Sequence, residues 1–218
     1  MTYLTRANVD FALAAKRGFR DSYRWHQAVW EAFPGRADEK RDFLTRLDRR
    51  KDGFRLLIIS DIAPTRPDWS AESEWQTKVI PESFFRSSCF LFQLCANPSK
   101  KVAKEGPDGV RTKNGRRVPL QKREELEAWI LRKAGQGGFV VNAASLRIVP
   151  RGREYFEIHS RNEKGLHSAV EFEGVLTVMD AAKFRETFVR GIGSAKGFGF
   201  GMLALQPVRG SQRNEEDQ

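Results

Sequence analysis

The order of the apolar segments after residue 86 is the feature that most constrains the fold of this chain. A strand-like stretch, CFLFQLCANP, is followed by a helical stretch, QKREELEAWILRKAG, whose apolar residues recur along one side. Three strand-like stretches come next: GFVVNAASLRIVP, REYFEIHS and HSAVEFEGVLTVMD. A short helix, AAKFRETFVRGI, and a closing strand, FGFGMLALQPV, complete the series. Strand, helix, strands, helix and strand is the ferredoxin-like βαββαβ order.

The first part of the chain begins in the same way, although its second half carries a weaker pattern. A strand, MTYLTRANVD, a helix, SYRWHQAVWEAFP, and a buried strand, FRLLIISDI, precede a proline-containing loop and a short edge strand, WQTKVI. We therefore predict an α+β chain of two tandem ferredoxin-like (RRM-like) βαββαβ domains, at residues 1–85 and 86–208. A polar tail at 209–218 is predicted to be disordered. A single larger α+β domain is the alternative.

The charge balance indicates which partners to expect. Lys and Arg number 38 against 28 Asp and Glu, a formal net charge of +10, which favours RNA, DNA or an anionic membrane surface. An ordinary basic protein is the other interpretation. No apolar run approaches the ~18 residues of a membrane span, and no signal peptide opens the chain. Two cysteines, Cys89 and Cys95, lack zinc-site spacing and fit a reducing cytoplasm. We expect a cytoplasmic protein without a membrane partner.

Tyr23 and His26 are the first candidates for chemistry. They fall near the start of the first helix, one turn apart, and Trp30 lies one turn further on. Free backbone N–H groups and the positive end of the helix dipole favour a phosphate there. A histidine titrates near neutral pH and can transfer protons at a phosphodiester, while a tyrosine hydroxyl can bind a phosphate oxygen. The alternative is a half-buried structural histidine, because His26 borders the apolar arc of its helix.

A basic segment, residues 100–123, is the second candidate, and we predict that it is a loop. It holds nine Lys and Arg against two acidic residues and contains no aromatic side chain. Such a segment binds phosphates but cannot stack bases, which suits a duplex stem better than a single strand. A solvated surface loop is the alternative interpretation.

The glycine-rich segment, GIGSAKGFGFG at residues 191–201, is the third candidate. Five glycines let the backbone approach a phosphate chain closely, and Lys196 adds positive charge. It lacks the GK[ST] of a P-loop, and its KGFGF fragment stands in the wrong place for the RNP1 motif of an RRM. A turn packed against a helix is the plain alternative. No HExxH, Cys/His set or carboxylate cluster predicts a metal site, and we expect no cofactor.

Four motifs carry a family resemblance: SYRWHQAVWEAFP, FQLCANPSKK, AWILRKAGQGGF and GIGSAKGFGFGMLALQPV. Their ordered combination resembles the CasE-type endoribonucleases, the crRNA-processing subunits of the type I-E Cascade complex. The resemblance spans nearly the whole chain apart from the tail. It implies two tandem ferredoxin-like domains and metal-independent cleavage at the 3′ base of a CRISPR repeat hairpin. The products would carry a 2′,3′-cyclic phosphate and a 5′-hydroxyl.

The resemblance also assigns roles to residues. In that family a histidine and a tyrosine on the first helix act at the scissile phosphate, and these positions match His26 and Tyr23. The RNA-binding positions that we predict lie at the helix start, in the basic segment and in the glycine-rich segment: Arg24, Lys100, Lys101, Arg111, Lys113, Arg116, Arg117, Gly191, Gly193, Lys196, Gly197 and Gly199.

The implied partners are the CRISPR repeat RNA hairpin, as pre-crRNA and as mature crRNA, and other Cascade subunits. The competing hypothesis is a non-catalytic subunit that binds an RNA hairpin within a ribonucleoprotein, since the same basic and glycine-rich segments would serve it. A third hypothesis, an RRM-like protein for single-stranded RNA, is disfavoured because the aromatic strand that stacks bases in RRMs is missing.

Overall fold

Two antiparallel sheets and a separate two-stranded hairpin organise the chain. A computed structural model describes residues 1–36, 39, 41–105, 111–158 and 163–208. The strands are β1 (Tyr3–Asp10), β2 (Phe43–Arg49), β3 (Gly53–Ser60), β4 (Trp75–Val79), β5 (Cys89–Ala96), β6 (Ser99–Glu105), β7 (Arg111–Pro119), β8 (Phe139–Val141), β9 (Arg147–Ile158), β10 (Glu163–Val178) and β11 (Leu203–Pro207). The helices are α1 (Phe11–Arg17), α2 (Ser22–Trp30), α3 (Glu82–Phe85), α4 (Arg123–Gln136) and α5 (Ala181–Arg190).

The first sheet has the ferredoxin-like strand order β2-β3-β1-β4, with every neighbouring pair antiparallel. The unit departs from the full pattern between β3 and β4, where residues 61–74 form a loop with one 3₁₀ turn (Glu72–Glu74) in place of a second helix. Trp69 fills that place: it is 3% exposed, and its indole N–H donates to the carbonyl of Ala28 in α2 at 3.2 Å. The prolines in this loop explain why no helix forms.

The second sheet has the same ferredoxin-like order, β11-β5-β10 followed by a broken edge strand. The broken edge strand consists of β8 and β9, which are separated by the 3₁₀ turn Ala143–Ser145. β8 pairs with the end of β10, and β9 pairs with the beginning of β10. The fold prediction is therefore confirmed for both units. The division at residues 85 and 86 stays a prediction, and the tail at 209–218 lies outside the described residues.

The prediction of a basic loop at 100–123 is wrong in form. β6 and β7 pair as an antiparallel hairpin inserted between β5 and α4, with Lys101 opposite Arg117. The hairpin escapes sequence analysis because it forms its own two-stranded sheet, with no apolar face to produce an alternating pattern. Sequence analysis also misses α1 and β2. Within the described residues no helix is long and apolar enough to cross a bilayer.

Strands β2 and β3 of the first sheet are buried on both faces, and this joins the two units. On β3, Ile58 points into the core beneath α2, whereas its neighbour Ile59 belongs to the core of the second unit. On β2, Phe43 likewise belongs to the core beneath α2, and its neighbour Leu44 belongs to the core of the second unit. Alternating side chains of a strand point to opposite faces of the sheet. In both strands, therefore, one face packs against α2 and the other packs against the second unit.

A buried ion pair crosses this interface. The Arg46 guanidinium of β2 donates to Glu171 of β10 at 2.9 Å and to Asp48 at 2.8 Å. Arg46 is 4% exposed and Glu171 is 3% exposed. Charges removed from water must be paired, and the geometry of this pair fixes how β2 lies on β10.

We predict that Glu171→Gln lowers the free energy of unfolding by about 1–3 kcal/mol, because the buried Arg46 would keep only one of its two partner charges, that of Asp48. Urea denaturation measures the loss. The matched control is Glu82→Gln, which breaks the exposed Glu82–Arg185 pair and should change stability little. Equal effects of the two substitutions would contradict the prediction.

Candidate active site

Helix α2 presents the first candidate residues where the two units meet. The Asp21 carboxylate caps it by accepting the Arg24 backbone N–H at 2.8 Å. Trp25, Ala28 and Val29 are buried against the first sheet, which fixes the rotation of the helix. That rotation leaves His26 half-buried on the side that faces β2 and the glycine-rich segment.

His26 has one occupied and one unoccupied ring nitrogen. The Trp30 indole N–H donates to His26 Nε2 at 3.0 Å, and the ring packs 6.0 Å from the Phe43 ring. An indole only donates, so Nε2 is the unprotonated nitrogen and the neutral ring carries its proton on Nδ1. Nδ1 is buried and, among the described residues, has no hydrogen-bond partner. A buried donor without a partner is costly, and a water molecule or a ligand that accepts its hydrogen bond would remove that cost.

Burial and a nearby cation keep this imidazole neutral. The pKa of His26 is lowered to about 4, first by desolvation and second by the positive charge of Arg41. Arg41 is held in place because its guanidinium donates to the Phe43 carbonyl, and burial lowers the pKa of Arg41 as well. Sequence analysis misses Arg41, since it precedes a strand that was not predicted.

The glycine-rich segment closes over these groups. A Cβ at Gly197 would lie 3.8 Å from His26 Cε1 and 3.9 Å from Arg41 Nε, so the backbone there approaches both side chains and leaves a space about the size of a methyl group. The Lys196 ammonium donates to the Arg190 carbonyl at 2.8 Å. The pKa of Lys196 is lowered by burial and then by the charges of neighbouring cations, first among them Arg41. Arg41 and Lys196 therefore form a cationic cluster beside the neutral His26 ring, and this cluster suits an anion.

The other glycines of the segment differ in role. Gly191 and Gly201 adopt positive φ and pack closely against backbone carbonyl groups. A Cβ at Gly191 would lie 2.9 Å from the Gly201 carbonyl oxygen. A Cβ at Gly201 would lie 2.5 Å from the Ile192 carbonyl oxygen. Gly199 also has positive φ and lines a cleft beside His26. Gly193 lines a separate basic pocket. Only Lys196, Gly197 and Gly199 of the predicted segment are brought to His26.

His167 packs against the glycine-rich segment and has a structural role. Its ring stacks on Phe156 at 4.6 Å and lies 4.8 Å from Phe198. The Asn97 carboxamide accepts the Ser168 backbone N–H, so its amide nitrogen donates to His167 Nδ1 at 3.1 Å. Burial lowers the pKa of His167. His159 lies outside the described residues.

A cleft of about 430 Å³ opens beside His26, and we call it the His26 cleft. It is bounded by the start of α2, one face of β2 and β3, the middle of β9 and the glycine-rich segment. Its lining residues are Phe19, Arg20, Asp21, Ser22, Trp25, His26, Val29, Thr45, Leu47, Arg49, Phe54, Leu56, Cys95, Glu154, Tyr155, Phe198, Gly199 and Phe200. Burial raises the pKa of the Cys95 thiol to about 12, so this thiol is protonated and inert at neutral pH.

A second pocket, of about 250 Å³, lies at the root of the hairpin, and we call it the basic pocket. Its lining residues are Asn97, Ser99, Arg117, Trp129, Arg132, Lys133, Gly193 and Ser194. The pKa of Lys133 is lowered by burial and then by the charges of Arg132 and Arg117. Sequence analysis names Arg117 and misses Arg132 and Lys133, although both stand in the AWILRKAG motif at the end of α4.

The remaining predicted residues are scattered. Tyr23 and Arg24 share Gln27: the Gln27 amide donates to the Tyr23 hydroxyl at 3.3 Å, and Arg24 donates to the Gln27 carbonyl oxygen at 3.1 Å. Tyr23 is absent from the described lining of the His26 cleft. Lys100 pairs with Glu125 at 2.7 Å, and Lys101 is exposed on β6. Three predicted residues of β7 have side chains outside the described part of the structure: Arg111, Lys113 and Arg116.

Comparison with known proteins gives consistent matches over nearly the full chain. A family profile described as CRISPR associated protein matches residues 2–207. The CRISPR system Cascade subunit CasE of Escherichia coli (strain K12) is 32% identical over 200 residues, covering 90% of this chain and 97% of that protein. The CRISPR-associated endoribonuclease Cse3 of Thermus thermophilus is 29% identical over 208 residues, covering 89% and 94%. A solved structure of CRISPR endoribonuclease Cse3 bound to a 19-nucleotide RNA superposes with a TM-score of 0.76 at 25% identity, over 94% of this chain and 100% of that one.

We predict that His26 titrates with a midpoint near pH 4 in the free protein, and that Arg41→Gln raises this midpoint because a like charge is removed. NMR of the imidazole resonances measures both values, with His26→Gln assigning the signal. Lys78→Gln, on the exposed strand β4, removes a remote cation and should leave the midpoint unchanged. A wild-type midpoint near the ordinary value of about 6.5 would overturn the description of this site.

Proposed function

We propose, from the premise that this chain belongs to the family of CRISPR-associated proteins and is a CasE-type Cascade subunit, that it is an endoribonuclease for CRISPR repeat RNA. Its substrate would be the repeat hairpin, cut at the 3′ base of the stem without a metal ion. Its partners would be that RNA, as precursor and as product, and the other Cascade subunits in the cytoplasm.

The observation that carries this proposal is the state of His26. A neutral imidazole with an unpartnered buried N–H lies near the backbone at Gly197 and beside the cation Arg41, which itself lies close to the cation Lys196. An anionic group seated there would satisfy the N–H and offset the charges of Arg41 and Lys196. A scissile phosphate has the required charge and acceptors.

The proposed reaction is a transesterification within the RNA. The ribose 2′-oxygen attacks the adjacent phosphorus, a P–O2′ bond forms, and the bond from phosphorus to the 5′-oxygen breaks. His26 accepts the 2′-hydroxyl proton at Nε2, where the hydroxyl takes the place of the Trp30 N–H. The leaving 5′-oxygen takes a proton from solvent and becomes a 5′-hydroxyl, the His26 imidazolium returns its proton to solvent, and the upstream product ends in a 2′,3′-cyclic phosphate.

Substrate binding would also tune the base. A pKa of about 4 makes His26 a weak proton acceptor at neutral pH, whereas general bases work best with a pKa near the working pH. The negative charge of a bound phosphate stabilises the imidazolium and raises the pKa of His26. The RNA itself would therefore bring the base into its effective range.

The surrounding groups have distinct proposed roles. Arg41 and Lys196 are placed to stabilise charge on the phosphorane, and their burial strengthens that interaction. Tyr23 accepts a hydrogen bond from Gln27 and keeps its own O–H to donate to the nucleophile or to the phosphate. Arg24 is engaged with Gln27, so the structure favours Arg41 over Arg24 as the cation at the reacting phosphate.

The hairpin and the basic pocket are the proposed stem-binding surface. Arg117, Arg132 and Lys133 converge with the backbone at Gly193 and Ser194, a combination of cations and close-approaching backbone that suits RNA phosphates. Lys101 lies opposite Arg117 on the same hairpin. The surface is rich in charge and poor in aromatic groups, which fits recognition of a duplex by its shape and backbone.

A binding-only subunit remains the second candidate function. It is favoured by one observation: the His26 lone pair that a general base needs is already occupied by the Trp30 N–H. Incubation of the purified protein with a labelled repeat hairpin separates the two functions, because only the nuclease yields a discrete shortened product.

We predict that His26→Ala lowers the single-turnover cleavage rate by about 10²–10⁴-fold, the contribution typical of a positioned proton-transfer group. Hairpin affinity should stay close to that of the wild type. Glu31→Gln, an exposed change at the end of the same helix, is the control and should cleave normally. A loss below about 10-fold would remove His26 from the chemistry, and loss of cleavage in EDTA would refute the metal-independent reaction.

We predict that the double substitution Arg117→Gln and Lys133→Gln weakens hairpin binding and reduces the slope of log Kd against log salt concentration by about 1 for each charge removed. Filter binding at several salt concentrations measures this slope. Lys78→Gln removes a charge outside the proposed surface and should preserve the slope. An unchanged slope in the double variant would exclude the basic pocket from RNA binding.

A further inference from the structure

The His26 cleft is larger than phosphate chemistry requires. Its volume of about 430 Å³ falls within the range of pockets that hold organic ligands, roughly 300–1,000 Å³, whereas a phosphate needs only the cationic cluster at its edge. The proposed function leaves this space unused. A ligand for it must reach the cleft while its phosphate lies at His26.

The walls of the cleft are aromatic and come from both units. Trp25 and Phe54 belong to the first unit, and Tyr155 and Phe198 to the second. Tyr155 is 47% exposed, so its ring stands at the rim and is accessible to a ligand. Flat aromatic faces around a narrow space are the surroundings in which proteins stack unpaired nucleobases.

Two buried polar atoms of the lining residues lack partners among the described residues: Ser22 Oγ and His26 Nδ1. The Glu154 carboxylate also lines the cleft, and burial raises its pKa. With the N–H left for the phosphate, the Ser22 hydroxyl and the Glu154 carboxylate offer a donor and acceptors to a ligand that is flat and polar at its edge. A nucleobase has that chemistry, and a purely apolar ligand would leave these groups unsatisfied.

We propose that the His26 cleft receives the base of the first nucleotide on the 3′ side of the cut. This inference rests on the proposed function, in which the nucleotide before the cut closes the stem and is paired. The nucleotide after the cut is single-stranded and free to turn its base away. When that base stacks beside Tyr155, the 5′-phosphate of the same nucleotide is drawn to His26. The RNA backbone is then extended for in-line attack.

The proposal makes Tyr155 a positioning residue for the cleavage reaction. Stacking on a ring at the rim holds the nucleotide without touching the reacting atoms, and it tolerates any base because every base has an aromatic face. Removing either the Tyr155 ring or the base that stacks on it should therefore slow cleavage. Removing both should slow cleavage no more than removing one of them.

The test uses the full chain and a set of synthetic repeat hairpins. An abasic site at the first nucleotide after the cut should lower the single-turnover rate by about 5- to 100-fold, in line with the worth of one stacked base. An abasic site one nucleotide further on should have little effect. Tyr155→Ala should slow cleavage of the intact RNA by a similar factor. It should not further slow cleavage of the RNA that is abasic at the first nucleotide after the cut.

Met179→Ala removes another exposed apolar side chain, outside the cleft, and serves as the matched control. Thermal melting confirms that both variants fold. Equal cleavage of intact and abasic RNA by the wild type would overturn the inference and leave the proposed function standing.

A binding measurement keeps the two proposals separate. The same hairpin with a 2′-deoxy nucleotide before the cut cannot react, and 2-aminopurine at the first nucleotide after it reports stacking by loss of fluorescence. Quenching by the wild type and its loss in Tyr155→Ala support the base site even if no RNA is cleaved. An unquenched base in the bound complex refutes the site whether or not cleavage occurs.

Discussion

The burial of the first sheet against the second unit is the constraint on which the rest of the structure depends. Leu44 and Ile59 belong to the core of the second unit, and the Arg46–Glu171 pair fixes how β2 lies on β10. His26 comes from the first unit, whereas Gly197 comes from the second. Their contact exists only while that interface holds. The candidate active site is therefore a property of the junction and belongs to neither unit alone.

Most of the fold could be predicted from the sequence because its strands and helices have buried faces. Apolar alternation in β5 and the one-sided apolar pattern of α4 both arise from packing against one core. The β6–β7 hairpin has no such face, so its charged residues carry no sign of strands. β2 was missed because polar and charged residues interrupt its apolar ones: Thr45 and Arg46 are buried in it, which the sequence pattern does not reveal.

The candidate site was predictable only where its residues are close in sequence. His26 and Trp30 lie one helical turn apart, so their contact follows from helix geometry. The approach of Gly197 to His26 joins positions that are far apart in the chain, and no local pattern encodes it. Arg41 matters because burial keeps it beside the imidazole, and burial of a single side chain in an irregular segment cannot be inferred from residue type. The family resemblance supplied the role of His26, and the structure supplied its charge state.

The two-sided burial of β2 and β3 has a consequence for synthesis of the protein. The first unit leaves the ribosome before the strands that cover its second face have been made. Leu44, Ile59 and Ile80 would meanwhile face water, and their burial must await β10 and α5. The nascent first half is thus a natural client for a chaperone, and expression of that half alone would yield an insoluble fragment.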